Sequence, residues 1–246
     1  MNDPDRKTGV DTGRREVLAL LGAAGAALLA GRSNAQRDSA SAAHAPPPAC
    51  IVTPEQTEGP YFVDQRLKRS DIRGDPSDGS IRAGIALTLA LRVSAIGKAG
   101  CTPLAGAAVD VWHCDAAGVY SDATDAGFRT VGTKFLRGYQ ETDANAGVQF
   151  TTIYPGWYPG RAVHIHFKVR AADKPGRVHE FTSQLYFDES ISDQVFTQQP
   201  YASRGQRRLK NDGDGLFRDG GRHTLLTPVK GAQGYAAKFD VGLKIG

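Results

Sequence analysis

Short segments that are either apolar throughout or alternate apolar with polar residues recur through residues 85–245, separated by turn-rich stretches. In Tyr235–Ile245, Ala237, Phe239, Val241 and Leu243 fall on one face, and Lys238, Asp240 and Lys244 are among those on the other. Successive side chains of extended backbone point to opposite sides, so this is the pattern of a half-buried strand. Ile85–Val93 and Ala107–His113 are apolar runs, the second ended by Asp115-Ala116-Ala117-Gly118. Gly147–Ile153 follows the turn-rich Thr142-Asp143-Ala144-Asn145-Ala146-Gly147. Ala162–Arg170 and the aromatic-rich Phe181–Phe187 complete the set. No long helical period and no internal repeat interrupts them. Many short strands between Gly and Pro turns predict a β-sandwich or barrel.

The first 49 residues follow a different pattern. Arg14-Arg15 precedes an uncharged Ala, Leu and Gly run from Val17 to Ala30. A bilayer span needs about 20 apolar residues, so this run is too short and fits the apolar region of an export signal. The arginine pair points to the twin-arginine route, which exports folded proteins. Residues 1–35 are therefore expected to be the signal, cut after Ser33-Asn34-Ala35, with an N-terminal membrane anchor as the alternative. Residues 36–49 are rich in Ala, Ser and Pro and are expected to be a linker. Residues 50–246 are expected to form one domain, periplasmic or secreted, with no stable membrane insertion once the signal is removed.

Charge adds little. The 246-residue chain carries a formal charge of +4. No long basic stripe is present, and the Arg204–Lys210 cluster is followed by Asp212, Asp214 and Asp219, so no nucleic-acid partner is expected. That cluster is expected to be a solvated loop, and Asp212-Gly213-Asp214-Gly215 a plain turn. The three cysteines are Cys50, Cys101 and Cys114. Export permits a disulfide, and an odd count leaves one cysteine over; Cys101 and Cys114 flank one strand and are one candidate pair, but the sequence leaves the connectivity among the three open.

The chemistry concentrates in Arg161-Ala162-Val163-His164-Ile165-His166-Phe167. On a strand, His164 and His166 point the same way, which suits a pair of metal ligands or two histidines bonded to neighbouring groups. Tyr158 precedes them on a turn held by Pro155, Gly156, Pro159 and Gly160, and Tyr120 follows another strand end. Each tyrosine alone reads as a core aromatic. Together with the histidines they select a hard trivalent cation, because a phenol of pKa near ~10 ionises only against strong positive charge. Zinc would favour Cys, His or carboxylate.

Five segments in this order resemble the intradiol ring-cleavage dioxygenases, the non-haem Fe(III) enzymes that include protocatechuate and catechol dioxygenases. They are Thr57-Glu58-Gly59-Pro60-Tyr61-Phe62, Val109 to Tyr120, Pro155-Gly156-Trp157-Tyr158, Arg161 to Phe167, and Gln184-Leu185-Tyr186-Phe187. The resemblance implies an all-β fold, a β-sandwich of mixed-topology strands with long active-site loops. It implies one Fe(III) per chain, held by Tyr120, Tyr158, His164 and His166. Tyr158 is the implied displaceable ligand and base, Arg161 the active-site arginine and Gln184 the active-site glutamine. The implied reaction opens a small aromatic diol with O2 between its hydroxylated carbons, giving a cis,cis-muconate-type diacid. The insertion between Tyr158 and His164 is only five residues, and Val163 stands where the family usually has Pro. The identity of the catechol and the state of homo-oligomerisation stay open. Two other readings remain at this point: a secreted β-sandwich binding module without catalysis, and a cupin-like site using His164, His166, Glu180 and His223.

Overall fold

The apolar and alternating segments become strands close to where their pattern places them. The structure, a computed structural model, describes residues 50–245 except 99 and 175. The expected signal and linker lie outside the described residues. In chain order the described strands are β1 (Ala86–Gly97), β2 (Gly100–Pro103), β3 (Ala108–Trp112), β4 (Thr124–Asp125), β5 (Phe128–Arg129) and β6 (Arg137–Glu141). They continue with β7 (Gly147–Ile153), β8 (His164–Lys174), β9 (Arg177–Phe187), β10 (Leu225–Leu226), β11 (Val229–Gly231) and β12 (Gly234–Leu243). Two short helices, α1 (Glu189–Val195) and α2 (Gly215–Arg218), lie between β9 and β10. Among the described residues no helix is long and apolar enough to cross a membrane.

Two five-stranded sheets carry the fold. The first runs β11-β12-β1-β2, with β7 also paired to β1, and the second runs β10-β9-β8-β3-β6. Pairs β1/β12 and β9/β10 are parallel and the others antiparallel, which is the mixed topology expected. Period-two burial explains how they stack. Leu87, Leu89 and Leu91 of β1 are buried with Phe150 and Val241 in one cluster that also holds Val109, Val111, Ile165, Phe167 and Val169 of the second sheet. Each such side chain contributes about 1.5–3 kcal/mol relative to exposure. The sandwich is thus closed by the odd-numbered residues of β8, and its even-numbered residues are left to the sheet's outer face.

The structure settles the connectivity that the sequence left open, and the candidate pair Cys101–Cys114 is not the one formed. Cys101 on β2 is joined to Cys50, 51 residues away in sequence. Cys114 points inward instead, is 1% exposed, and directs its thiol to the Gly156 carbonyl at 3.4 Å. Burial pushes its thiol far above the usual range, so it is no nucleophile. The disulfide closes a loop long enough to cost the unfolded chain about 4 kcal/mol of entropy. Cys101→Ser is expected to lose a comparable stability. Urea unfolding with and without reductant checks this: reductant should destabilise the native protein and leave Cys101→Ser unaffected.

Candidate active site

Strand register assembles the site. Trp112, His166 and Gln184 are direct partners across β3, β8 and β9, and His164 is the partner of Tyr186. Directly opposed residues share a face, so these five side chains lie in two adjacent rows outside the sandwich core. Trp112 stacks on His166 with ring centroids 4.9 Å apart. Both histidines are only 2% exposed.

Two loops add the tyrosines. Asp115 begins the first by accepting the amides of Ala117 and Val119, which turns the chain after β3 and leads to Tyr120. The second loop runs from Tyr154 to Tyr158. Gly118, at φ +77°, and Gly156 let the loops meet backbone to backbone: a Cβ on the first would strike the Trp157 carbonyl, and one on the second the carbonyls of Asp115 and Ala116. Any larger residue would push the tyrosines apart.

The four predicted ligands converge. Nδ1 of His164 lies 2.6 Å from the Ala162 carbonyl and must donate to it, so Nε2 presents a lone pair. Nε2 of His166 is 3.0 Å from that nitrogen, and the Tyr158 hydroxyl is 3.2 Å from it. The Tyr120 hydroxyl is buried without a hydrogen-bond partner among the described residues. Burial lowers His164 to about 3 and holds His166 well below the usual imidazole range, with neighbouring positive groups adding to both shifts. Burial also raises both phenols, and Arg161 partly offsets this. Such a cage keeps its nitrogens free to coordinate and leaves its phenols protonated until a strong cation arrives. Among the described residues no group of three His, Cys, Asp or Glu side chains gathers at one point. A metal here therefore depends on phenol oxygens, and the donor set fits a hard trivalent ion. Glu180 is instead exposed and 3.6 Å from Lys168, and His223 is exposed elsewhere, so the cupin-like ligand set does not assemble.

The two tyrosines differ in freedom. Tyr120 is 1% exposed and stacked beneath Tyr61 at 4.3 Å between centroids. Tyr61 is in turn held by a hydrogen bond from its hydroxyl to Asp125 on β4. Tyr158 is only half-buried and lines an open cleft.

Arg161 precedes β8, so the strand alternation that would have turned it away from the histidines does not reach it. Its Nη1 lies 3.5 Å from His164 Nε2, and its Nη2 donates to Gln184 Oε1 at 2.5 Å and the Tyr186 hydroxyl at 3.1 Å. Gln184 is fully buried and also donates to the Thr57 carbonyl at 2.9 Å. The amide oxygen of Gln184 is thus occupied in orienting Arg161.

Asp214 is the residue that sequence reasoning missed. It sits in the stretch read as a plain turn, yet it is 2% exposed. Its Oδ2 accepts Arg161 Nε at 2.9 Å and the Ala162 amide at 2.8 Å, while Oδ1 caps α2 through Leu216. An Asp before a short helix signals a cap; no local signal shows that the cap also grips an arginine 53 residues earlier. The Arg204–Lys210 loop is likewise not simply solvated, since Arg207 is buried against Glu189 and Asp193. Asp214→Asn is expected to lower turnover by about 10²-fold by misplacing Arg161. Pairing it with Arg161→Ala should add almost no further loss, because the two act as a unit. Fully additive losses in that double-mutant cycle would separate Asp214 from Arg161.

Comparison with known proteins bears on the family and the fold. Residues 57–213 match a protein family described as Dioxygenase. An intradiol ring-cleavage dioxygenase from Tetranychus urticae is 33% identical with a TM-score of 0.67, over 80% of this chain and 95% of that one. The dioxygenase domain of a dioxygenase carbohydrate-binding protein fusion from Streptomyces sp. SirexAA-E is 30% identical with a TM-score of 0.56, over 80% and 100%. Catechol 1,2-dioxygenase 1 of Acinetobacter lwoffii is 30% identical over 141 residues, which span 53% of this chain and 42% of that protein. The chain thus matches less than half the length of this curated relative.

Proposed function

The chain belongs to the intradiol ring-cleavage dioxygenases, and on that premise we propose that it opens a catechol-type diol with O2, using one ferric ion held by Tyr120, Tyr158, His164 and His166. The carrying observation is that His166 Nε2 and the Tyr158 hydroxyl lie 3.0 and 3.2 Å from His164 Nε2, beside a buried Tyr120 hydroxyl without a hydrogen-bond partner among the described residues. Ferric iron bound there supplies Lewis acidity that favours the doubly deprotonated diol.

The protein's own groups do the rest. Tyr158 is the ligand with room to move, and its phenolate oxygen takes the second diol proton. Tyr120, clamped under Tyr61, stays in place. Arg161 offers fixed N–H donors to negative charge developing on the ring, and it is pre-oriented by Asp214, Gln184 and Tyr186. The wall formed by Trp112, Tyr61 and Phe62 keeps this corner apolar. The product of cleavage between the hydroxylated carbons is a cis,cis-muconate-type diacid. Export is proposed as the cellular setting, and the Cys50–Cys101 disulfide supports an oxidising compartment.

The deciding experiment incubates iron-loaded protein with a panel of catechols in air and identifies the products. Intradiol diacids carrying both atoms of labelled O2 are expected. Extradiol products, or no oxygen uptake with any catechol, would refute the proposal.

A further inference from the structure

A cleft of about 400 Å³ opens beside the candidate active site. One wall is the turn bearing Trp157, Tyr158 and Arg161; the other is Arg207, Arg208 and Leu209. This is the size of a small-molecule site. Its lining residues include no carboxylate. Two of its three guanidinium groups are already compensated: Arg161 by Asp214, and Arg207 by Glu189 and Asp193. Arg208 is exposed and has no ion-pair or hydrogen-bond partner among the described residues.

The fold sets the position of Arg208. Arg204 lies over the Trp157 ring at 4.3 Å, and Trp157 Nε1 donates to the Gly205 carbonyl at 3.1 Å, which ties the loop to the tyrosine turn. Arg207 ties it to α1. Arg208 therefore stands between anchored neighbours as the cleft's uncompensated cation.

We propose that this cleft receives the substituent of the diol substrate and that Arg208 selects catechols bearing an anionic side chain. The inference rests on the ring-cleavage reading above. A ring whose hydroxyls meet Tyr158 and Arg161 directs its substituent along the same walls. Trp157 and Leu209 cover the apolar part, and the free guanidinium pairs with a terminal carboxylate. A neutral substituent gains only the apolar contact.

The test compares 3-(3,4-dihydroxyphenyl)propionate with its methyl ester on iron-loaded wild type, Arg208→Ala and Arg208→Lys. Steady-state turnover is measured in air, and equilibrium binding of both compounds is measured without oxygen. Wild type should prefer the acid. Arg208→Ala should lower the acid-to-ester ratio of kcat/KM by about 10- to 100-fold, as loss of one charge-assisted hydrogen bond does. Arg208→Lys should recover part of it, and added salt should lower the wild-type ratio. General damage to the fold would lower both substrates together and leave the ratio unmoved. An unchanged ratio in Arg208→Ala, or a wild-type preference for the ester, overturns the proposal. If neither ring opens but the acid binds more tightly than the ester through Arg208, the ring-cleavage reading fails and the anion subsite stands. If the acid binds no more tightly than the ester, the subsite fails whatever the turnover.

Discussion

Tyr158→Phe is expected to lower catechol turnover by about 10²–10⁴-fold, the range for loss of a general base. The phenyl ring preserves the packing of the turn, so the loss belongs to the hydroxyl. That hydroxyl is 3.2 Å from His164 Nε2 and beside an open cleft, whereas Tyr120 is sealed beneath Tyr61. The two tyrosines should therefore fail differently. Under the proposed ligand set, Tyr158→Phe should keep a weakened, shifted visible band that comes from the Tyr120 phenolate. Its complex with catechol should form slowly and retain one diol proton. Tyr120→Phe should alter the band while leaving the base in place. Stopped-flow mixing with catechol under anaerobic conditions, followed by oxygen, separates these cases. If Tyr158→Phe forms the doubly deprotonated complex as fast as wild type, the base is another group.

His166→Ala is expected to yield a folded, colourless protein with little iron and no measurable ring cleavage. Neighbours on β8 explain why the fold should survive. Ile165 and Phe167 are fully buried between the sheets, and His166 faces the opposite way, against Trp112. Loss of groups that merely support a metal ligand typically lowers affinity by about 10- to 100-fold; loss of a ligand should exceed that. The checks are iron per chain by elemental analysis, the visible spectrum, and thermal unfolding of the metal-free proteins. A His166→Ala protein that keeps its iron and colour would remove His166 from the ligand set. One that unfolds when metal-free, where wild type does not, would give the residue a structural role instead.

Much of this architecture could be read along the chain. Gly147–Ile153 is a strand with the bounds its pattern predicts, the apolar run Ile85–Val93 forms most of β1, and the period of two in β12 puts Ala237, Val241 and Leu243 in the core with Phe239 partly buried against it. Strand pattern is a local property, so it survives without knowledge of neighbours. The histidine pair was legible for the same reason. The tyrosines needed more: each alone is an ordinary aromatic, and only their combination with His164 and His166, and the resemblance of five ordered segments, marked them.

By itself the sequence determined which residues alternate, which segments turn, and which side chains carry donors suited to a hard cation. Tertiary structure alone decided the rest. It joined Cys50 to Cys101 because their chain segments meet at the sheet edge, while Cys114 turned inward toward Gly156. It placed Arg161 beside His164 because β8 begins only at the histidine. It made a gripping carboxylate of Asp214 and left Arg208, on the wall of the cleft, without an ion-pair partner among the described residues. The physical reason is the range of the forces involved. Periodicity and turn chemistry act between near neighbours in sequence. Ion pairing, burial and coordination act between near neighbours in space, and Arg161 and Asp214 become such neighbours only when the strands and the loops between them have packed.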